Sequence, residues 1–183
     1  MSAKRIRALG AVLLVAALFS LHQGWGSPPV LAHAFGPGPS FPGVQPLPEV
    51  EREVGRLTNE TRRQHGLPPL AADPNLIEAS RQHSVDMLTR RFFSHRNPEG
   101  RSFMERLPPA YGSRISRSGE NIWTGSGYYP FNPQNLARMM MNTWMSSPGH
   151  RQNILTPGFT HVGVGVAVSG REVRATQLFI EMR

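Results

Sequence analysis

The sequence predicts an α+β domain in which helices pack on a mostly antiparallel sheet. Two observations predict it. Apolar residues recur at helical spacing between positions 49 and 146, and valines alternate with small residues near the end. The 183 residues also contain no cysteine. The last point leaves packing to stabilise the core and excludes a disulfide framework, a zinc ribbon and a thiol nucleophile.

The chain opens with a basic stub, Lys4, Arg5 and Arg7, followed by the apolar run 9–21 (LGAVLLVAALFSL). A run of about 13 residues is short for a bilayer span but suits the hydrophobic part of a signal peptide. Ala32-His33-Ala34 offers a small-x-small cleavage site, with Gly24-Trp25-Gly26 as a second choice. Residues 1–34 are therefore expected to be a signal peptide, with an uncleaved anchor as the alternative. Residues 35–48 (FGPGPSFPGVQPLP) are mostly Pro and Gly and read as a tether. The folded domain is expected over 49–183. This organisation implies a secreted or cell-envelope protein with no stable membrane span after cleavage.

The elements follow in order. Over 49–65, Val50, Val54 and Leu57 recur at helical spacing, and Gly66 with Pro68-Pro69 stops the helix. Asp73 as N-cap and Pro74 at the first position begin a second helix, ending near Arg91. A short helix is expected over 102–107, and a strand over 115–123 runs into a loop with Gly125 and Gly127. A third long helix, apolar at Leu136, Met139, Met140 and Trp144, spans about 133–146. Ser147-Pro148-Gly149 then breaks it and starts another turn. Val162, Val164, Val166 and Val168 alternate with small residues, Ser169-Gly170-Arg171 turns, and 173–182 returns as a strand.

The formal net charge is +8, and Lys4 is the only lysine. Without the first 34 residues the balance is +5 and spread out, with no block of five or six like charges. Nucleic acid is therefore not an expected partner. Weak long-range attraction to anionic envelope polymers or lipid surfaces fits better.

Without cysteine, a metal site must use His, Asp or Glu. His65 ends a helix, where a cation suits the dipole. His83 lies within an amphipathic helix and reads as a satisfied, partly buried side chain, and His161 precedes a strand. His95 and His150 differ. His95 follows Phe92-Phe93-Ser94 and enters the turn Asn97-Pro98-Glu99-Gly100. If Ser147 caps a helix with Pro148 at its first position, His150 lies in the first turn, where the dipole disfavours imidazolium. A neutral imidazole is what a metal or a general base requires. Glu120 is the only acidic residue between Arg106 and Arg171, which points to a specific hydrogen-bonding role. Spacing alone does not join the three.

At these residues the chain resembles the bacterial branch of the CAP superfamily (cysteine-rich secretory proteins, antigen 5 and pathogenesis-related proteins), also called the SCP domain. The segments FFSHRNPEGRSFMERL, SGENIW, WMSSPGHRQNIL and FTHVGVGVAV carry the resemblance, in that order, with HGLPPL and DPNL before them. It covers roughly residues 51–183. The resemblance implies an α-β-α sandwich with a central antiparallel sheet and a cleft holding a His/Glu tetrad. His95 matches its first histidine, Glu120 the glutamate of the GEN motif, and His150 the second histidine. It also implies that His95 and His150 can bind a divalent ion such as zinc. Its second glutamate, three residues after a tryptophan, is replaced by Ser147, which weakens two-carboxylate chemistry.

Three functions follow as expectations. The first is a secreted binding or interaction module, expected as a monomer, whose cleft holds a metal or lies beside a groove for a lipid, sterol or envelope ligand. The second is a metal-assisted, peptidase-like hydrolase with His95 and His150 holding zinc and Glu120 as base. A serine-hydrolase variant would use Ser94 or Ser147. The third is a purely structural pocket. His95, Glu120 and His150 are the catalytic candidates, His95 and His150 the metal candidates.

Overall fold

The computed structural model describes residues 43–127 and 132–183. The expected signal peptide and most of the tether lie outside the described residues. Along the chain run β1 (Val44–Pro46), α1 (Pro48–Gln64), β2 (Ala71–Ala72), α2 (Pro74–Thr89), and two 3-10 turns (Phe103–Arg106 and Pro109–Arg114). Then come β3 (Ile115–Ser126), α3 (Pro133–Ser146), α4 (Pro148–Leu155), β4 (His161–Ser169) and β5 (Glu172–Met182). The strand order is β1-β4-β5-β3, all antiparallel, and β2 adds a short parallel pairing to β4.

The valine alternation in β4 builds both layers at once. Val162, Val164 and Val166 point into the larger core with Val54, Met140 and Trp144 from α1 and α3. On the other face Gly163 and Gly165 let α2 lie against the strand's backbone. A Cβ on either would come within 2.2 and 2.1 Å of the α2 backbone at Leu76 and Arg81. Ser80 and Ser84 donate from α2 to the carbonyls of Gly163 and Gly165, at 3.2 and 2.9 Å. Leu76 and Ala79 of α2 meet Leu178 and Ile180 of β5 in a second, smaller core. The result is an α-β-α sandwich, with α2 on one face and α1, α3 and α4 on the other.

The main helices stand where the sequence places them. Asp73 caps α2, accepting from the N–H groups of Asn75 and Leu76 at 2.9 and 3.0 Å. Arg90 is the C-cap of that helix, so it ends slightly before the expected Arg91. Three differences have physical causes. The sheet takes in Val44–Pro46, which composition assigned to the tether: main-chain bonds recruit β1, and an edge strand tolerates Pro46. β2 likewise pairs through its backbone at Ala71 and Ala72 and has no side-chain pattern to read. The short helix expected over 102–107 is a 3-10 turn, begun by Ser102, whose N–H and hydroxyl both donate to Glu105.

Among the described residues, no helix is long and apolar enough to cross a membrane. Arg62, fully buried, ties the layers together and fixes α4. It donates to the carbonyls of Pro68, Ile154 and Thr156 at 2.9 Å each.

Candidate functional site

Three elements meet at the edge strand β3. Gly119 lets α4 approach this strand, since a Cβ there would lie 2.7 Å from the Asn153 side-chain oxygen. Its neighbours then face opposite ways. Asn121 turns toward α4, donating to the His150 carbonyl at 3.2 Å and to Gln177 at 3.1 Å, while Gln177 donates to Thr58 of α1 at 2.8 Å. Asn153 donates to the carbonyl of Glu120 at 3.2 Å and to the side chain of Asn121 at 2.8 Å. A buried chain of amides thus holds the first turn of α4, and His150 with it, against β3.

Glu120 points to the α2 side. Its side chain is only 3% exposed, and each carboxylate oxygen has a partner. His95 Nδ1 donates to Oε1 at 2.8 Å, and Arg106 Nη2 donates to Oε2 at 2.5 Å. His95 itself is 56% exposed. With Nδ1 committed to the carboxylate, Nε2 is the nitrogen left for a ligand. Burial pulls the Arg106 guanidinium below its ordinary value, and the charge of Glu120 opposes that shift.

His150 bonds neither His95 nor Glu120 directly. Burial, and then the charge of His95, hold its imidazole below the ordinary value, and its Nδ1 is buried without a partner. The structure therefore joins His95 to Glu120 and sets His150 within electrostatic reach of His95. The expected position of His150, two residues after Pro148 in the first turn of a helix, is the one observed, although the Ser147 side chain makes no capping bond.

Two site residues escaped sequence reading. Arg106 had no pattern to distinguish it in a stretch rich in arginine. His83, read as a satisfied, partly buried side chain, is 1% exposed and sits beneath the site. Its Nε2 donates to the carbonyl of Ser94 at 2.9 Å, anchoring the residue before His95, and Nδ1 has no partner. Burial, with the neighbouring Arg106 charge, pushes it down to about 4. The one available signal was its presence near the Ser94-His95 segment, which only the fold converts into contact.

The remaining candidates lie elsewhere. His65 donates to Thr61 of its own helix at 2.8 Å, and His161 bonds its neighbour Thr160. The Ser94 hydroxyl accepts from the Arg96 N–H at 3.2 Å, and among the described residues neither Ser94 nor Ser147 offers its hydroxyl to a histidine. Among those residues no group of three or more His, Asp or Glu side chains converges on a point that could hold a metal. Two shallow grooves, of about 220 and 270 Å³, lie between α1 and α3 and between α2 and the first 3-10 turn. Neither is lined by His95, Glu120 or His150.

Known proteins are similar to this chain in sequence or in fold. The uncharacterized protein YkwD of Bacillus subtilis is 38% identical over 120 residues, covering 66% of this chain and 43% of its own length. This chain thus spans less than half of that relative. A crystal structure of an extracellular protein containing an SCP domain from Bacillus anthracis is 32% identical, with a TM-score of 0.57, covering 72% of this chain and 40% of that one. An outer surface protein from Borrelia burgdorferi shares the fold at 16% identity, with a TM-score of 0.64 over 76% of this chain and 98% of its own. The model of the CAP family, described as the cysteine-rich secretory protein family, matches residues 56–179. The chain is a bacterial member of the CAP family.

Proposed function

We propose that this chain is an extracytoplasmic binding module whose His95–His150 cleft holds a ligand, including a divalent ion such as zinc, and does not hydrolyse a substrate. One observation carries the reading: both oxygens of Glu120 are engaged, by His95 and by Arg106. A carboxylate in that position orients an imidazole and is not free to activate water. His150, held toward its neutral form, is a suitable donor for a metal. Two imidazoles would hold an exchangeable ion completed by water or by a bound ligand. They fall short of the three protein ligands usual for catalytic zinc, and Ser147 supplies no second carboxylate. The extracytoplasmic location rests on the basic stub and apolar run at the N-terminus and on the extracellular and outer-surface relatives. A lipid or envelope ligand would occupy the exposed surface around His95.

Zinc titration by calorimetry tests this. Wild type is expected to bind, His95→Ala and His150→Ala to lose binding, and Glu120→Gln to weaken it roughly 10- to 100-fold by releasing His95. Unchanged affinity in both histidine variants would sink the metal reading. A peptidase or esterase activity that disappears in Glu120→Gln would overturn the binding reading in favour of a hydrolase.

A further inference from the structure

One loop carries surface chemistry that the His95–Glu120 pair does not use. Residues 90–101 link the end of α2 to the first 3-10 turn. Within them Phe93 is 47% exposed, the one large apolar side chain left in solvent among the described residues. The loop holds four arginines, Arg90, Arg91, Arg96 and Arg101, against the single acid Glu99. Arg90 is paired with Asp86 and Glu99. Arg96 donates to the Gly100 carbonyl at 2.7 Å, which fixes the guanidinium without neutralising it. Among the described residues Arg91, Arg96 and Arg101 form no ion pair. Glu105, the nearest acid in sequence beyond the loop, feels Arg96 and Arg101 but gives an oxygen to Ser102.

The backbone supplies an independent observation. Arg91 has φ +56, the only positive value at a non-glycine position among the described residues. It follows the C-cap of α2, where the Phe92 N–H closes the helix end on the Met87 carbonyl at 3.1 Å. Glycine fills such a position without steric cost. Here a cationic side chain is carried there against the preference of the backbone, which points to a use for the side chain.

From these observations we propose that residues 90–101 dock on an anionic phospholipid surface. Phe93 enters the boundary between headgroups and acyl chains, and Arg91, Arg96 and Arg101 meet lipid phosphates. An exposed aromatic ring in one short loop with three exposed guanidinium groups outside any ion pair matches a surface that is phosphate outside and hydrocarbon beneath. A soluble polyanion would match the arginines but give Phe93 nothing to bury against. The proposal rests on the reading of the exposed surface around His95 as a ligand surface but not on a metal there, so loss of zinc binding and loss of vesicle docking are separate outcomes.

Because the chain has no cysteine, one introduced thiol gives a local readout in it. An environment-sensitive fluorophore is attached at Phe93→Cys or, as a control, at Gln64→Cys on the exposed end of α1. Each is mixed with phosphatidylcholine vesicles with and without phosphatidylglycerol. The label at 93 is expected to shift to the blue on anionic vesicles only, in a salt-sensitive way, while the label at 64 does not. Adding R91G, R96S and R101S should raise the lipid concentration for half the shift roughly a hundredfold, at about fivefold per arginine. R91G relieves the positive φ, so an unfolding temperature kept at or above wild type shows that this loss is not misfolding. Equal shifts at 93 and 64, a shift on neutral vesicles, or a shift undiminished by the three substitutions would each overturn the proposal. So would tight binding of soluble polyphosphate with no shift at 93 on vesicles.

Discussion

Glu120 shows how a single residue changes meaning once its partners are known. Alone in a basic stretch, it points to a specific hydrogen-bonding role, and in a hydrolase it would serve as base. Beneath the surface it bridges His95 and Arg106, so both of its oxygens are committed to positioning those two side chains. His83 is the reverse case, a residue that looks inert and is strongly perturbed. Burial, with Arg106, pushes its pKa from 6.5 to about 4. Between those values the unfolded chain binds a proton at this position that the folded chain refuses. The stability linked to His83 is therefore complete above about pH 6.5 and is lost as pH falls toward 4. At 1.36 kcal/mol per unit the loss is about 3 kcal/mol. Urea unfolding across that window should show wild type losing about 3 kcal/mol more than His83→Phe. Parallel losses in the two proteins would contradict this. The depressed His150 acts in the same direction and remains in both proteins, so the comparison isolates His83.

At the scale of elements, the contact between α2 and β4 is set by what β4 lacks. A Cβ at Gly165 would stand 2.1 Å from the Arg81 amide nitrogen, a backbone atom that cannot move aside without shifting the helix. Gly165→Ala is expected to destabilise the protein by about 1–3 kcal/mol or more in chemical denaturation. Gly149 gives the contrasting case. It lies in the first turn of α4, where an added Cβ would meet nothing within 4 Å, and its φ is not positive. Gly149→Ala should stabilise by roughly 0.5–1 kcal/mol. If both alanines cost the same, close helix–strand approach is not what glycine provides in β4. The edge strand β3 is protected in a related way. Trp144 Nε1 donates to the Ile122 carbonyl at 3.0 Å and Asn153 to the Glu120 carbonyl, so α3 and α4 occupy main-chain acceptors that another chain could otherwise use.

Across the whole molecule, buried polar side chains do the joining that disulfides perform in many small domains. Arg62 reaches from α1 to the loop after it, to the end of α4 and, at 3.5 Å, to Phe159 ahead of β4. It is fully buried with carbonyls as its acceptors, and burial holds its guanidinium below the ordinary value. Arg62→Met would leave these buried carbonyls without their donor. The expected cost is roughly 3–5 kcal/mol in denaturant, with faster hydrogen exchange in α4 before other helices. Uniform exchange across the helices would show that Arg62 acts on global stability alone.

Helix positions, the Asp73 cap and the terminal hairpin were legible because each is written in a short window: apolar period, capping residue, turn residues. The pairing of valine and glycine faces in β4 was visible as alternation, though not which helix the glycines admit. β1 and β2 were not legible, because main-chain pairing leaves no mark on side-chain pattern. The site was half legible. Glu120 and the histidines stood out by residue type and through family resemblance, yet spacings of 25 and 30 residues carry no geometry. By itself the sequence determined the helices, the hairpin, the cysteine-free core and the identity of the candidate ligands. Tertiary structure alone decided that Arg106 takes the second oxygen of Glu120 and that His83 lies beneath His95, because those contacts arise where α2, β3 and the 3-10 turn converge, and no local window contains all three.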